Sequence, residues 1–218
     1  VAPRGTMFDP GPCVYMEKIA VGPKSKGLIS IDKSPTENLA AIAAATGRGV
    51  RDLTAVILDR DRHTELINEV RESGARIRLI PDGDVAGAIA TATSDGADVL
   101  FGIGGTPEGV ISAAALKCLG GEMQGKLWPR NGTERQAAID AGYDLDRVLN
   151  TDDLVRSDDV FFAATGITDG ELLKGVRFTA EGAISDSLVM RSKSGTVRRI
   201  EATHNIGKLS EFSSVDFT

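Results

Sequence analysis

The sequence predicts an α/β fold built on a doubly wound, mostly parallel sheet, and three observations lead there. Between Val50 and Gly142, short apolar runs alternate with helical segments of roughly ten residues. Three successive apolar runs each end in a polar cluster rich in Arg, Asp or Gly. Glycines follow the helical segments at Gly74 and Gly142, where a helix C-terminus calls for them.

Taken in order, residues 13–31 read as a β-hairpin, with Val14–Val21 and Gly27–Ile31 flanking Gly22-Pro-Lys-Ser-Lys26. Thr36–Thr46 is an alanine-rich helix started by Ser34-Pro35. Thr54–Leu58 is a short apolar strand. Arg62–Ser73 has helical spacing through Leu66, Ile67 and Val70. Arg76–Ile80 alternates with period two, and Val85–Thr93 reads as a small-residue helix. Asp98–Phe101 is a buried strand, Gly102–Gly109 a glycine-rich turn, and Val110–Cys118 an apolar helix. A strand at Glu122–Trp128 and a helix at Thr133–Ala141 complete the alternation. Beyond it, Val160–Ala164 and Ser187–Arg191 resemble strands, and Lys193-Ser-Gly195 turns into a strand over Thr196–Ala202. The tail from Ser210 onward is polar.

Bulk properties narrow the classes. A chain of 218 residues buries roughly 70% of its unfolded surface and needs no staple. A net charge of −6 argues against a general nucleic-acid partner, although local arginines can still make a basic pocket. Cys13 and Cys118, the two cysteines, lack metal-ligand spacing and read as buried thiols, with a bridge left open. No apolar run approaches the ~20 residues of a membrane span, and no signal peptide is visible. The chain lacks an initiator Met and enters structured-looking sequence at once, so it reads as partial.

The stretch Gly102-Ile-Gly-Gly-Thr-Pro-Glu-Gly109 carries the most chemistry. A strand, a glycine turn and a helix start place backbone N–H groups where an anion can sit. It is neither a dinucleotide fingerprint, because Pro107 takes the third glycine's place, nor a P-loop, because Val110 and Ile111 follow Gly109. Glu108 inside this turn would repel a phosphate unless a cation lay between them, which points to metal-assisted chemistry on a phosphate ester. The alternative is a tight turn with Pro107 opening the helix and Glu108 on its dipole.

The other strand ends add to this. Arg60 and Arg62, within Asp59-Arg-Asp-Arg-His63, offer forked donors for phosphate oxygens, or else pair with Asp59 and Asp61 in a solvated loop. Asp82 and Asp84 flank Gly83 and suit sugar hydroxyls or a hard cation, or Asp84 caps the next helix. His63 is a base or a structural histidine. Tyr15 meets substrate or is a half-buried strand aromatic. The basic run Arg191–Arg199 is a phosphate contact or a charged edge hairpin.

Six blocks are specific enough to name a family: Cys13-Val-Tyr-Met-Glu-Lys18, Arg60-Asp-Arg-His63, Pro81-Asp-Gly-Asp-Val-Ala86, Gly102–Gly109, Ala164-Thr-Gly-Ile-Thr-Asp-Gly170 and Arg191-Ser-Lys-Ser-Gly195. In this order and spacing they closely resemble the class II fructose-1,6-bisphosphatases, over essentially the whole chain. The resemblance implies the layered fold of the lithium-sensitive sugar-phosphatase superfamily. In it, residues 1–48 would be the end of a first α+β domain, 49–150 an α/β substrate-binding domain, and 151–218 returning strands that complete the fold.

The resemblance also implies Mn²⁺- or Mg²⁺-dependent hydrolysis of the 1-phosphate of fructose 1,6-bisphosphate, a gluconeogenic step, in a cytoplasmic homo-oligomer without nucleic-acid or membrane partners. Carried over by motif, Tyr15 contacts the substrate. Arg60, Asp61 and Arg62 hold it at the phosphate that is not cleaved. Asp82, Gly83 and Asp84 position sugar hydroxyls, Gly105 contacts it through its backbone, and Glu108 is a metal ligand. The family carries an upstream segment of roughly a hundred residues with the other metal-binding carboxylates and a water-activating threonine. The chain thus corresponds to the C-terminal two-thirds, expected to be inactive by itself. Sedoheptulose 1,7-bisphosphate as substrate, and a non-catalytic phosphosugar-binding module, are the alternatives.

Overall fold

The computed structural model describes residues 1–93, 96–180 and 182–211. The polar tail expected from Ser210 falls, from residue 212 on, outside the described residues. The strands of the central sheet are β1 (Tyr15–Val21), β2 (Thr54–Leu58), β3 (Arg76–Ile80), β4 (Val99–Gly105), β5 (Glu122–Leu127) and β6 (Leu149–Asn150), in the order β3-β2-β4-β1-β5-β6. β2 runs parallel to β3 and β4, whereas β1 is antiparallel to both β4 and β5, and β6 is antiparallel to β5. Four of the six strands (β3, β2, β4 and β5) therefore run the same way, with β1 inserted against the grain and β6 reversed at the edge.

Helices cover both faces, as the strand–helix alternation requires. On one side α1 (Pro35–Thr46) and α2 (Thr64–Glu72) bury Leu39, Ile42 and Val70 against Ile19, Ala55, Ile57, Val99 and Phe101. On the other, α3 (Asp84–Ala90), α4 (Thr106–Leu119) and α5 (Gly132–Asp140) bury Ala88, Ala113 and Ala138 with Met16, Val56, Leu58 and Leu100. Alternate residues of one strand thus feed opposite cores, as a two-sided sheet demands. The short α6 (Thr151–Leu154) adds Leu154 to the second core.

A second, antiparallel sheet lies beyond α3 and α4. It consists of β7 (Phe161–Thr165), β8 (Arg177–Thr179), β9 (Gly182–Arg191) and β10 (Thr196–His204), with β9 between β10 on one side and β7 and β8 on the other. Phe162, Leu188 and Met190 pack on Ile89, Ala115 and Cys118. α4 is therefore clasped by two sheets, and its small-residue, all-round apolar sequence suits that position. A last helix, α7, spans Ile206–Ser210.

Three sequence expectations are corrected here. Residues 13–31 form no hairpin: β1 pairs with β4 and β5, and Pro23–Ser25 is a 3-10 turn with no strand over Gly27–Ile31. An apolar run buried on both edges needs two neighbours, and both come from far along the chain. The block Gly102–Gly105 is the end of β4 rather than a turn, and α4 starts at once at Thr106. The α3 helix begins at Asp84 and ends at Ala90, shorter than its apolar pattern. Both cysteines are free and buried, and burial raises both thiol pKa values. No described helix is long and apolar enough to cross a membrane.

Candidate functional site

The carboxyl ends of β2, β3 and β4 all open onto one cleft of 440 Å³. Because β1 runs the other way, its first residue arrives at the same end, with Tyr15 paired directly to Gly105. The cleft is lined by Tyr15, Arg60, Arg62, Asp82, Gly83, Asp84, Gly105 and Glu108, among others. Asp61 is the exception: it is exposed, starts the 3-10 turn after β2, and does not line the cleft.

The arginines are held by carbonyls rather than by acids. Arg60 donates to the Asp59 carbonyl at 2.7 Å, and Arg62 donates from Nε and Nη2 to the Ile103 carbonyl at 3.1 and 2.8 Å. Among the described residues neither forms an ion pair, so both keep their full charge for an anion. Arg62 also stands over the Tyr15 ring, 5.4 Å from its centroid.

His63 explains how this loop keeps its place. Its Nδ1 bonds the Leu58 carbonyl at 2.7 Å, and its Nε2 takes the Ile103 N–H at 2.8 Å. The ring must then be neutral with the proton on Nδ1. Burial, with Arg62 and Arg60 nearby, lowers its pKa from 6.5. With both nitrogens occupied, His63 is a rivet between β2's loop and β4, not a free base.

The acidic side is built differently. Gly83, at φ +80°, makes the left-handed turn that sends Asp82 outward and Asp84 inward. Asp84 caps nothing: α3 has no side-chain cap, and its carboxylate instead meets Lys18 Nζ at 2.5 Å. Lys18 Nζ also donates to the Gly105 carbonyl at 3.0 Å and its side chain is only 2% exposed. Lys18 is a residue that sequence reasoning missed. The available signal was a lone cation at the head of the apolar run Ile19 to Val21.

Glu108 lies in the first turn of α4, whose N-terminus has no side-chain cap. Its carboxylate folds back over Gly105 so closely that a Cβ there would overlap Oε2. Among the described residues the Glu108 carboxylate has no hydrogen bond or ion pair, and no cluster of three His, Cys, Asp or Glu side chains suits a metal. Glu108 is thus available to a cation as one ligand, not as a closed cage. The N–H groups expected to cradle an anion are partly spent: Ile103 on His63, and Thr106 on the Val14 carbonyl at 2.8 Å. The basic run Arg191–Arg199 does not line the cleft, and Arg191 is paired with Asp159 at 2.8 Å.

Residues 1–204 match the family described as bacterial fructose-1,6-bisphosphatase, glpX-encoded. The chain is 44% identical over 207 residues to the D-fructose 1,6-bisphosphatase class 2/sedoheptulose 1,7-bisphosphatase of Synechococcus sp. (strain JA-3-3Ab), covering 88% of this chain and 60% of that protein. It is 41% identical over 216 residues to the fructose-1,6-bisphosphatase class 2 of Haemophilus influenzae, covering 93% of this chain and 65% of that protein. The chain thus spans 60% to 65% of the length of these curated relatives.

Proposed function

From the premise that this chain belongs to the bacterial glpX-encoded fructose-1,6-bisphosphatase family, we propose that it forms the substrate-holding part of a hydrolase for a sugar bisphosphate. The reaction is removal of the 1-phosphate of fructose 1,6-bisphosphate to give fructose 6-phosphate. One observation carries this reading. Two unpaired arginines, an aspartate pair around Gly83, and a free Glu108 at an open helix N-terminus share one cleft.

Arg60 and Arg62 would hold the phosphate that stays, as always-charged forked donors. Asp82 is free to accept from sugar hydroxyls, whereas Asp84 serves chiefly to lock the loop to Lys18. Glu108 faces the phosphate to be removed. Mn²⁺ or Mg²⁺ fits there as a hard cation that takes one carboxylate and completes its shell with water and phosphate oxygens. Bound there, the ion would polarise the phosphoryl group and lower the pKa of a coordinated water. This chain's own part is to fix substrate orientation and to supply that carboxylate.

The name of the Synechococcus relative includes sedoheptulose 1,7-bisphosphatase, and the open cleft suits a seven-carbon substrate as a second reading. A soluble cytoplasmic setting and a homo-oligomer complete the proposal. The test is phosphate release from fructose 1,6-bisphosphate by the intact protein, with Mn²⁺ and with chelator. Chelator-sensitive release that collapses in Glu108→Ala is expected. Binding of substrate without release under either condition would leave a phosphosugar sensor instead.

A further inference from the structure

Tyr15 carries two guanidiniums on its ring, and the motifs discussed so far account for only one. Arg130 lies 5.3 Å from the ring centroid, as close as Arg62 at 5.4 Å. It sits in the connection between β5 and α5, where the Trp128 N–H on the Tyr15 carbonyl at 2.9 Å ties that connection to the start of β1.

Arg130 is fixed at its base by Glu134. One Glu134 oxygen accepts the Arg130 backbone N–H at 2.8 Å and Nε at 3.1 Å, while the other accepts the Val14 N–H at 3.2 Å. Burial would push the Glu134 carboxyl up, but the Arg130 N–H, its guanidinium and the Val14 N–H outweigh it and hold the pKa low. Asn131 caps α5 through the Glu134 N–H at 2.9 Å. The carboxylate therefore stays charged and its position is fully determined.

The consequence lies at the other end of the side chain. A carboxylate with both oxygens free grips a guanidinium two-pronged. Glu134 has one oxygen committed to Val14, so it holds Arg130 end-on through Nε. Nη1 and Nη2 have no hydrogen bond among the described residues, and the side chain is 53% exposed. The result is a planar fork, anchored at its base, backed by an aromatic ring and open at its tip. Such a fork matches phosphate geometry. Glu108 makes one end of the cleft acidic, so the anion-accepting end is the one lined by Arg60, Arg62 and Tyr15, and Arg130, which does not line the cleft itself, borders that end against the Tyr15 ring.

We infer that Arg130 is a third phosphate-binding guanidinium of this cleft, acting with Arg62 across Tyr15 on the distal phosphate of a sugar bisphosphate. The inference rests on the sugar-bisphosphate reading above and adds to it a residue that sets specificity for the second phosphate.

Calorimetric titration of the full chain, in chelator, with fructose 1,6-bisphosphate, fructose 6-phosphate and fructose 1-phosphate tests it. Arg130→Gln should weaken the first two by about tenfold, the value of one charged hydrogen bond, and leave the 1-phosphate unchanged. Equal weakening of all three ligands would mean a structural role and overturn the inference, as would no weakening at all. A wild-type chain that binds none of them removes the sugar-bisphosphate reading itself. Binding by wild type that Arg130→Gln matches removes only the role of Arg130.

Discussion

Replacing Lys18 by Met should be the most costly single change in this cleft. The Lys18 side chain is 2% exposed and that of Asp84 10%, and their charged atoms are 2.5 Å apart. Met fills nearly the same space as the lysine stem, so packing changes little. The carboxylate of Asp84, however, is left buried without a counter-charge, a situation that costs about 3–5 kcal/mol. The Gly105 carbonyl also loses its donor, and that accounts for about 1 kcal/mol of the total. For a domain of this size such a loss lowers Tm by about 6–20 °C. Urea unfolding at pH 7, followed by far-UV circular dichroism, reads the change from the midpoint while the slope stays constant. The decisive comparison is the same change in an Asp84→Asn background. In that background the buried lysine is itself the stranded charge, so Lys18→Met should cost at most about 1 kcal/mol, a coupling of at least roughly 2–4 kcal/mol. Equal costs in the two backgrounds would refute the reasoning, because they would mean that the carboxylate is not relying on the lysine.

Other perturbations follow from the same geometry. Burial holds His63 below its unfolded pKa of 6.5, so as pH falls below that value the unfolded chain takes up a proton that the folded chain refuses. Stability from this group is complete above pH 6.5 and declines below it by up to about 1.4 kcal/mol per pH unit. Wild type should therefore lose more stability between pH 7 and 5 than His63→Gln, and parallel unfolding profiles would dismiss the rivet. In Gly105→Ala the new Cβ takes the space of Glu108 Oε2, so Mn²⁺-dependent phosphate release by the intact protein should fall about 100-fold. Undiminished release would show that Glu108 works from another position. The chain of 218 residues by itself, with Glu108 and Asp82 in its cleft but no cluster suited to a metal among the described residues, should release no phosphate; Mn²⁺-stimulated turnover by it would contradict the proposed division of labour.

How far the sequence revealed this is best seen element by element. The strands β2, β3 and β4 and the helices between them were legible because periodicity and glycine stops are local signals. The placement of Arg60, Arg62, Asp82 and Glu108 in one cleft followed from the rule that such sheets bind ligands at their carboxyl ends. β1 was misread because its apolar run and the Gly22-Pro23 turn look like half a hairpin. Its true partners, β4 and β5, begin at Val99 and Glu122, and no local pattern announces a pairing over that separation. Lys18 and Arg130 were missed for the same reason, since each acquires meaning only from a neighbour across the sheet. Arg130 and Glu134 do stand four residues apart behind an Asn cap, but that spacing alone reads as an ordinary surface pair.

The insertion of β1 also changes what the glycine block means. Read as sequence, Gly102–Gly109 is an anion cradle. In the structure most of its glycines make room for β1 and for the loops that β1 organises. A Cβ on Gly104 would stand 2.7 Å from Asp84 Oδ2 and 3.2 Å from Lys18 Nζ, and one on Gly102 would stand 3.2 Å from the His63 ring. Gly109 yields to the Met16 sulfur, and Gly125 on β5 yields to the same side chain from the other side. Met16 projects from the face of the sheet that α4 covers, and close packing leaves it room only because Gly109 on that helix and Gly125 on β5 carry no side chain there. Of the two glycines of this block that line the cleft, Gly104 and Gly105, only at Gly105 is the space a side chain would take held by Glu108. Substitutions at Gly102, Gly104 and Gly109 should therefore act on His63, the Lys18–Asp84 pair and Met16 first, and reach the substrate only through them.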